Sequence, residues 1–290
     1  MLKSIENVFS PPAPHMVGDG FRVHNFFPGY IGDLRRMSPF FMMDYASKVE
    51  FPPSNHQRGV GVHPHRGFET VTLAYHGKVA HHDSAGNHGI VTEGGVQWMT
   101  AASGVLHKEY HEKEYALKGG PFQMVQLWVN LPAKHKMDPP RYQALAATEM
   151  GKLTLQEGMG HIDVVAGSLN GVKGTASTHT PMHVYNMYLN TGADFEFSLP
   201  ENYNTGLLVV EGNITIQENT TVELDHFALF KNNGTSIKIH ANNKSTVLLL
   251  SGEPIQEPIV AYGPFLMNTK EEIIQAYDDV NNGKFGHLED

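Results

Sequence analysis

Short runs rich in β-branched and aromatic residues, each closed by a turn former, recur along the whole chain and leave room for little besides β-sheet. Thr70-Val71-Thr72-Leu73, the apolar run from Gln123 to Val129, the run from Val184 to Leu189 and that from Ser245 to Leu250 are four of them. With 29 glycines and 17 prolines, the chain has turn signals enough to separate many short strands. That pattern predicts an all-β sandwich or barrel. One helix stands out late in the chain. Thr269 caps it, Glu272 completes a capping box, and Ile273, Ala276, Tyr277 and Val280 form an apolar stripe suited to docking on a sheet.

Two short patterns within this strand-rich chain carry chemistry. His63-Pro64-His65 and His107-Lys108-Glu109 each place two metal-ligating side chains at i and i+2. Side chains alternate faces along a strand, so both members of each pair point the same way, whereas Arg66 and Lys108 point away. If the two strands face each other in a barrel, three imidazoles and one carboxylate converge. Three neutral nitrogens and one anionic oxygen suit a single divalent transition metal: iron, nickel, cobalt, manganese, zinc or copper. Half of the 18 histidines fall between His56 and His111, which concentrates the signal in this region. Glu69 is the rival carboxylate. It shares parity with His65 along an unbroken strand, but Gly67 between them favours a bulge that would turn it elsewhere.

The polar, proline-rich stretch from Pro132 to Pro140 marks a linker, which predicts a first domain over 1–134, a linker over 135–150 and a second domain over 151–290. A weak repeat supports the division, because Thr70–Val79 resembles Thr205–Ile214 with Gly77 over Gly212. On that alignment Ser198 and Pro200 replace His63 and His65, and the His107 and Glu109 positions fall near Asn242 and Lys244. The second half is therefore expected to keep the barrel and lose the metal, leaving one ion per chain.

Composition removes several alternatives. The chain has no cysteine, which excludes disulfides, thiolate nucleophiles and zinc fingers. A formal charge of −9 argues against a phosphate-binding surface and so against direct nucleic-acid binding. No apolar run is long enough to span a bilayer, and the first residues lack the apolar core of a signal peptide, so a cytoplasmic location is expected.

The run His63-Pro64-His65-Arg66-Gly67-Phe68-Glu69-Thr70 resembles the signature of the pirin family within the cupin superfamily. So do His82-Asp83-Ser84-Ala85-Gly86-Asn87, Val96-Gln97-Trp98-Met99-Thr100-Ala101, Gly104-Val105-Leu106-His107-Lys108-Glu109 and Gln126-Leu127-Trp128-Val129-Asn130-Leu131. The resemblance implies two cupin-type β-barrel (jelly-roll) domains facing each other. It also implies one metal, typically iron, held in the first by His63, His65, His107 and Glu109, and a degenerate second domain without metal. The implied activity is that of a quercetin 2,3-dioxygenase, which opens a flavonol ring with O2, with Glu109 as the catalytic base. A different role implied by the same family is regulatory binding of a transcription factor or metabolic enzyme, the oxidation state of the metal acting as the switch. A third reading, an isomerase acting on a small polar substrate, would need a cation at the metal, for which Arg66 is the nearby candidate. Gln97, Trp98 and Met99 are candidates to line a substrate pocket, with core packing the alternative and the commoner fate of a residue such as Trp98; His81 or His82 could extend the polar shell, though neither is read as a ligand. Asp83 and Asn87 are read as hairpin-turn residues.

Overall fold

The computed structural model describes residues 1–289; Asp290, the last residue of the expected second domain, lies outside them. The chain divides into two compact units, and each repeats one plan: a seven-stranded sheet and a four-stranded sheet.

The unit that carries both histidine motifs comprises Ala13–Leu34, Phe40–Ala147 and Ile255–Asp290. After β1 (Ile5–Phe9), which belongs to the other unit, its strands are β2 (His15–Val17), β3 (Phe21–Phe27), β4 (Phe40–Phe51), β5 (Gly59–His65), β6 (Phe68–His76), β7 (Val79–Asp83), β8 (His88–Val91), β9 (Val96–Thr100), β10 (Val105–His111), β11 (Gly120–Asn130) and β12 (Arg141–Leu145). The larger sheet runs β12-β9-β6-β11-β4-β3-β2 and the smaller β5-β10-β7-β8. Every pairing within them is antiparallel. Strand β10 shows why the chain folds this way locally. Val105, His107, Glu109 and His111 are buried while Leu106, Lys108 and Tyr110 are half-buried, the period-two signature of a strand with one face inward.

The other unit comprises Met1–Pro12, Arg35–Pro39 and Thr148–Pro254. Its larger sheet contains β1 and the strands Asn204–Glu211 and Ser245–Gly252, and its smaller sheet pairs Asp194–Ser198 with Ser236–Ala241. The repeat seen in sequence is a repeat of position, because β6 and Asn204–Glu211 each lie third from one edge of their seven-stranded sheet. Gly77 and Gly212, both at positive φ, close the turns that follow. Where β5 and β10 carry the histidine motifs, the corresponding strands place Phe197 opposite Ile237 and Phe195 opposite Ile239. Phe197, Ile237 and Ile239 are buried in the apolar core of this unit.

Three boundaries differ from the expectation. The segment 135–150 is not a bare linker: Arg141–Leu145 pairs with β9, and Lys136 is fully buried. The Lys136 ammonium donates to Gly67 O at 2.7 Å, Asn130 Oδ1 at 2.6 Å and Leu266 O at 2.7 Å, so three oxygens replace its lost water. The termini also exchange units. β1 pairs with Phe227–Phe230 of the second unit, whereas Ile255–Asp290 packs in the first. The late helix, α2 (Lys270–Asn281), has the capping box expected of Thr269 and Glu272. Its stripe docks on Phe265, Met267 and Phe285 of that same unit. A short helix, α1 (Lys113–Lys118), was not legible in the sequence; at six residues it has no room for a periodic stripe, and Glu112 caps it.

Candidate metal centre

Strands β5 and β10 are hydrogen-bonded neighbours, and His63 lies directly opposite His107 in their register. One ligating nitrogen from each of His63, His65 and His107 falls within a cluster whose atoms are all within 4.8 Å of one another. Glu109 joins it from the same face of β10, with Oε1 at 3.7 Å from His107 Nε2. The structure thus brings together three of the four side chains named from spacing and sets the fourth, Glu109, beside His107.

The donor set fits a metal ion. His65 Nδ1 and His107 Nδ1 are buried without a hydrogen-bond partner, and His63 Nδ1 is tied to Gly61 O at 2.8 Å, leaving its other nitrogen for coordination. Burial, and then the positive charge that neighbouring histidines would add, holds His65 and His107 well below the usual imidazole range. Burial also lowers His63, against the pull of the Gly61 carbonyl. All three are therefore neutral at pH 7, with lone pairs available.

Glu109 is tuned the other way. Burial pushes its carboxyl up to about 7, opposed by hydrogen bonds from Gln126 and Thr72. Thr72 Oγ1 donates to Gln126 Oε1 at 2.6 Å, which turns the amide nitrogen of Gln126 toward Glu109, 3.2 and 3.3 Å from its two oxygens. Neither Thr72 nor Gln126 was picked out as a site residue. Their register, which only the structure supplies, puts both on the same face of adjacent strands as Trp128.

Glu69 is turned away. Gly67, at φ 89°, breaks the alternation between His65 and Phe68, so Phe68, Thr70 and Thr72 face the cluster and Glu69 faces the opposite side of the sheet. There its Oε1 accepts from Thr100 Oγ1 at 2.6 Å, and burial raises its carboxyl to about 7. Arg66 also points away from the cluster, to Asp279 Oδ2 at 2.9 Å and Ser103 O at 2.7 Å, which leaves the isomerase reading without its cation. Lys108 reaches Glu289 O at 2.6 Å. Asp83 closes its hairpin as read, its Oδ1 accepting from the backbone nitrogens of Ala85 and Asn87, each at 3.0 Å.

A cavity of about 350 Å³ opens beside His63, His65 and Glu109, walled by Phe21, Met42, Asp44 and Trp128 among others. This volume is within the range of small-molecule sites. Gln97, Trp98 and Met99, candidates to line a pocket, are not among the described residues that do so. Trp98 is fully buried opposite Val71, on the Glu69 side of the sheet, and Met99 packs with Ala101 and Val105. Gln97 acts one step removed. It contacts His81 Nδ1 at 3.2 Å, which in turn lies 2.9 Å from His107 Nε2. His81, opposite Glu109 in the β7–β10 register, is fully buried, while its neighbour His82 faces outward and meets the Tyr110 hydroxyl at 2.7 Å. The aromatic wall is Trp128, which stacks on Phe68 with ring centroids 4.2 Å apart.

Two jelly-roll units, one with an inward His/Glu cluster and one with an apolar core, define a cupin-type protein with a candidate site for a divalent metal at that cluster. Residues 20–129 match the family model described as Pirin, and residues 184–286 match that of the pirin C-terminal cupin domain. The chain belongs to the pirin family. It is 43% identical over 284 residues, 98% of this chain and 99% of the other, to a Pseudomonas aeruginosa protein named provisionally as a quercetin 2,3-dioxygenase. A tomato (Solanum lycopersicum) pirin-like protein is 38% identical over 257 residues, covering 88% of this chain and 84% of that one. Among solved structures, a quercetin 2,3-dioxygenase from Acinetobacter baumannii matches with a TM-score of 0.94 and 43% identity over 100% of both chains. An Escherichia coli pirin in complex with nickel(II) shares the fold at 21% identity, with a TM-score of 0.62 over 86% of this chain and 100% of that one. No helix among the described residues is long and apolar enough to cross a membrane.

Proposed function

We propose that this protein is a metal-dependent quercetin 2,3-dioxygenase that opens a flavonol with O2, and that its first cupin unit holds a single divalent ion, iron, through His63, His65, His107 and Glu109. The observation that carries the reading is the placement of Glu109. A carboxyl oriented by Gln126 sits beside three neutral imidazoles, at the wall of a cavity lined with apolar and aromatic side chains. The names of the 43%-identical relatives support the same chemistry.

A bound divalent metal supplies Lewis acidity that lowers the cost of ionising a substrate hydroxyl. The side chains supply the rest. Trp128, Met42 and Phe21 pack against a flat aromatic ring system and exclude water from the reacting end. A carboxylate that stayed coordinated would titrate low, so Glu109 acts as general base by leaving the ion to accept the proton of the flavonol 3-hydroxyl. Gln126 keeps that carboxylate from rotating away, its own amide being fixed by Thr72. The deprotonated, electron-rich ring is then open to O2, the oxidant. The regulatory reading draws on the same cluster, and the cavity beside it is what favours a small molecule.

Iron-loaded protein mixed with quercetin in air should consume O2 and bleach the flavonol absorbance, and should do neither under argon. Fully loaded protein that leaves quercetin intact in air would sink the proposal. Glu109→Gln should remove most turnover.

A further inference from the structure

One ionisable side chain in the cavity wall has no part in the proton transfer. Asp44, on β4, is 8% exposed and lines the cavity. Cross-strand register sets Thr72, Gln126, Asp44 and Asn25 side by side across β6, β11, β4 and β3. Directly opposed residues in antiparallel strands have Cβ atoms about 5 Å apart, so this is one continuous polar row. The flanking rows are largely apolar. Trp128 lies opposite Met42 on one side, and Met124 opposite Ala46 and Ala74 on the other.

The two ends of the row differ in what they hold. At one end Gln126 serves Glu109. At the other, Asn25 Nδ2 donates to Asp44 Oδ1 at 2.7 Å, and Asn25 is itself held because its Oδ1 accepts from the Gly29 backbone nitrogen at 2.6 Å. Asn25 is the one side-chain hydrogen-bond partner of Asp44 among the described residues. A buried carboxyl with a single neutral donor is costly where a methionine would serve for packing, as it does at Met42 and Met124. Desolvation accordingly raises the Asp44 carboxyl above the usual range. What Asp44 has that a methionine lacks is acceptor capacity facing the cavity.

We infer that Asp44 is a second anchor for the substrate, accepting a hydrogen bond from a phenolic hydroxyl other than the one delivered to Glu109. It thereby selects polyhydroxylated flavonols over those that carry the 3-hydroxyl alone. The inference rests on the flavonol reading of the cavity. A planar substrate lies against Trp128 and Met42 with its polar edge along the row, the reacting hydroxyl at the Glu109 end and the second hydroxyl at the Asp44 end. One added hydrogen bond to a buried carboxyl gives a preference of about tenfold.

The test compares quercetin with 3-hydroxyflavone, which has only the reacting hydroxyl, by quenching of tryptophan fluorescence in iron-loaded protein under argon. Wild type is expected to bind quercetin at least about tenfold more tightly. In Asp44→Leu that ratio should collapse to within about threefold, and in Asp44→Asn, which keeps the shape and a weaker acceptor, it should fall between the two. The Asn variant decides the matter if the Leu variant melts early. A wild-type ratio near one, or a ratio unchanged in Asp44→Asn and in folded Asp44→Leu, overturns the inference. Turnover in air reads the underlying function separately. Asp44-dependent preference in binding without any flavonol turnover would remove the dioxygenase and keep the anchor, whereas turnover with no Asp44-dependent preference would do the reverse.

Discussion

Gln126 donates through one amide nitrogen to both oxygens of Glu109, at 3.2 and 3.3 Å. A carboxylate held at both oxygens has lost the rotation that would let it swing out of reach of a substrate proton. Gln126→Leu removes that hold while sparing every proposed metal ligand. We expect kcat/KM for quercetin to fall by about tenfold or more, with the metal content per chain unchanged. Wild-type turnover in this variant would show that Glu109 needs no orienting partner.

The two candidate carboxylates make opposite predictions for metal content. Glu109 shares a face with His107, whereas Glu69 lies beyond the Gly67 break and bonds to Thr100. After loading and desalting, Glu109→Gln and His107→Ala should retain far less metal than wild type, and Glu69→Gln should retain about one ion per chain. Metal loss in Glu69→Gln comparable to that in Glu109→Gln would reverse the assignment.

Glu69 also predicts how stability depends on pH. Its carboxyl is raised from 4.5 to about 7 by burial, so between those values the folded chain binds a proton that the unfolded chain does not. That contribution is fully present below pH 4.5 and is lost as pH rises through about 7. Glu69→Gln, which mimics the protonated form, should melt higher than wild type at pH 8 and about equally at pH 4.5. The expected gain at pH 8 is about 3 kcal/mol, since a tenfold change in proton affinity corresponds to about 1.4 kcal/mol. Parallel melting curves for the two proteins across this range would refute it.

The outer faces of the two ligand-bearing strands are tied to the C-terminal segment. Arg66, next to His65, pairs with Asp279 at 2.9 Å and lies 4.6 Å from the ring centroid of Phe285. Lys284 meets Asp279 at 2.8 Å, and Ser84 Oγ donates to Phe285 O at 2.5 Å. The two cations hold the Asp279 carboxyl down at about 2, with Lys284 the larger influence. Its contribution is therefore present above the unfolded value of 3.8 and lost as pH falls through about 2. Asp279→Asn should lower the thermal midpoint at pH 7 by several degrees and expose the segment after Asn281 to protease. An unchanged midpoint and an uncleaved tail would show that packing alone secures it.

Much of this was written locally. Alternation along β10 dictates that His107 and Glu109 share a face that Lys108 does not, because each residue of a strand rotates its side chain to the other side. The glycine turns at Gly77 and Gly212 marked the duplicated fold, and the lack of any His-x-His or His-x-Glu pair after the linker set the expectation that the second copy does not repeat the ligands of the first. The Thr269 cap and Glu272 were likewise legible, since a capping box is closed within one turn.

Tertiary structure alone decided which face was inward and what stood across from it. Trp98 and Trp128 both sit in apolar strands, yet Trp98 lies opposite Val71 and Trp128 opposite Thr70, adjacent residues of β6 that face opposite ways. Sequence alone does not say which tryptophan meets the cavity, because period two orders side chains within a strand and is silent on its register with the next. The same holds for His81 behind His107, for Asp44 beside Gln126, and for the C-terminal segment that packs with the first unit. Each depends on contacts between residues far apart in the chain, where pairing and burial of the whole sheet outweigh any local preference.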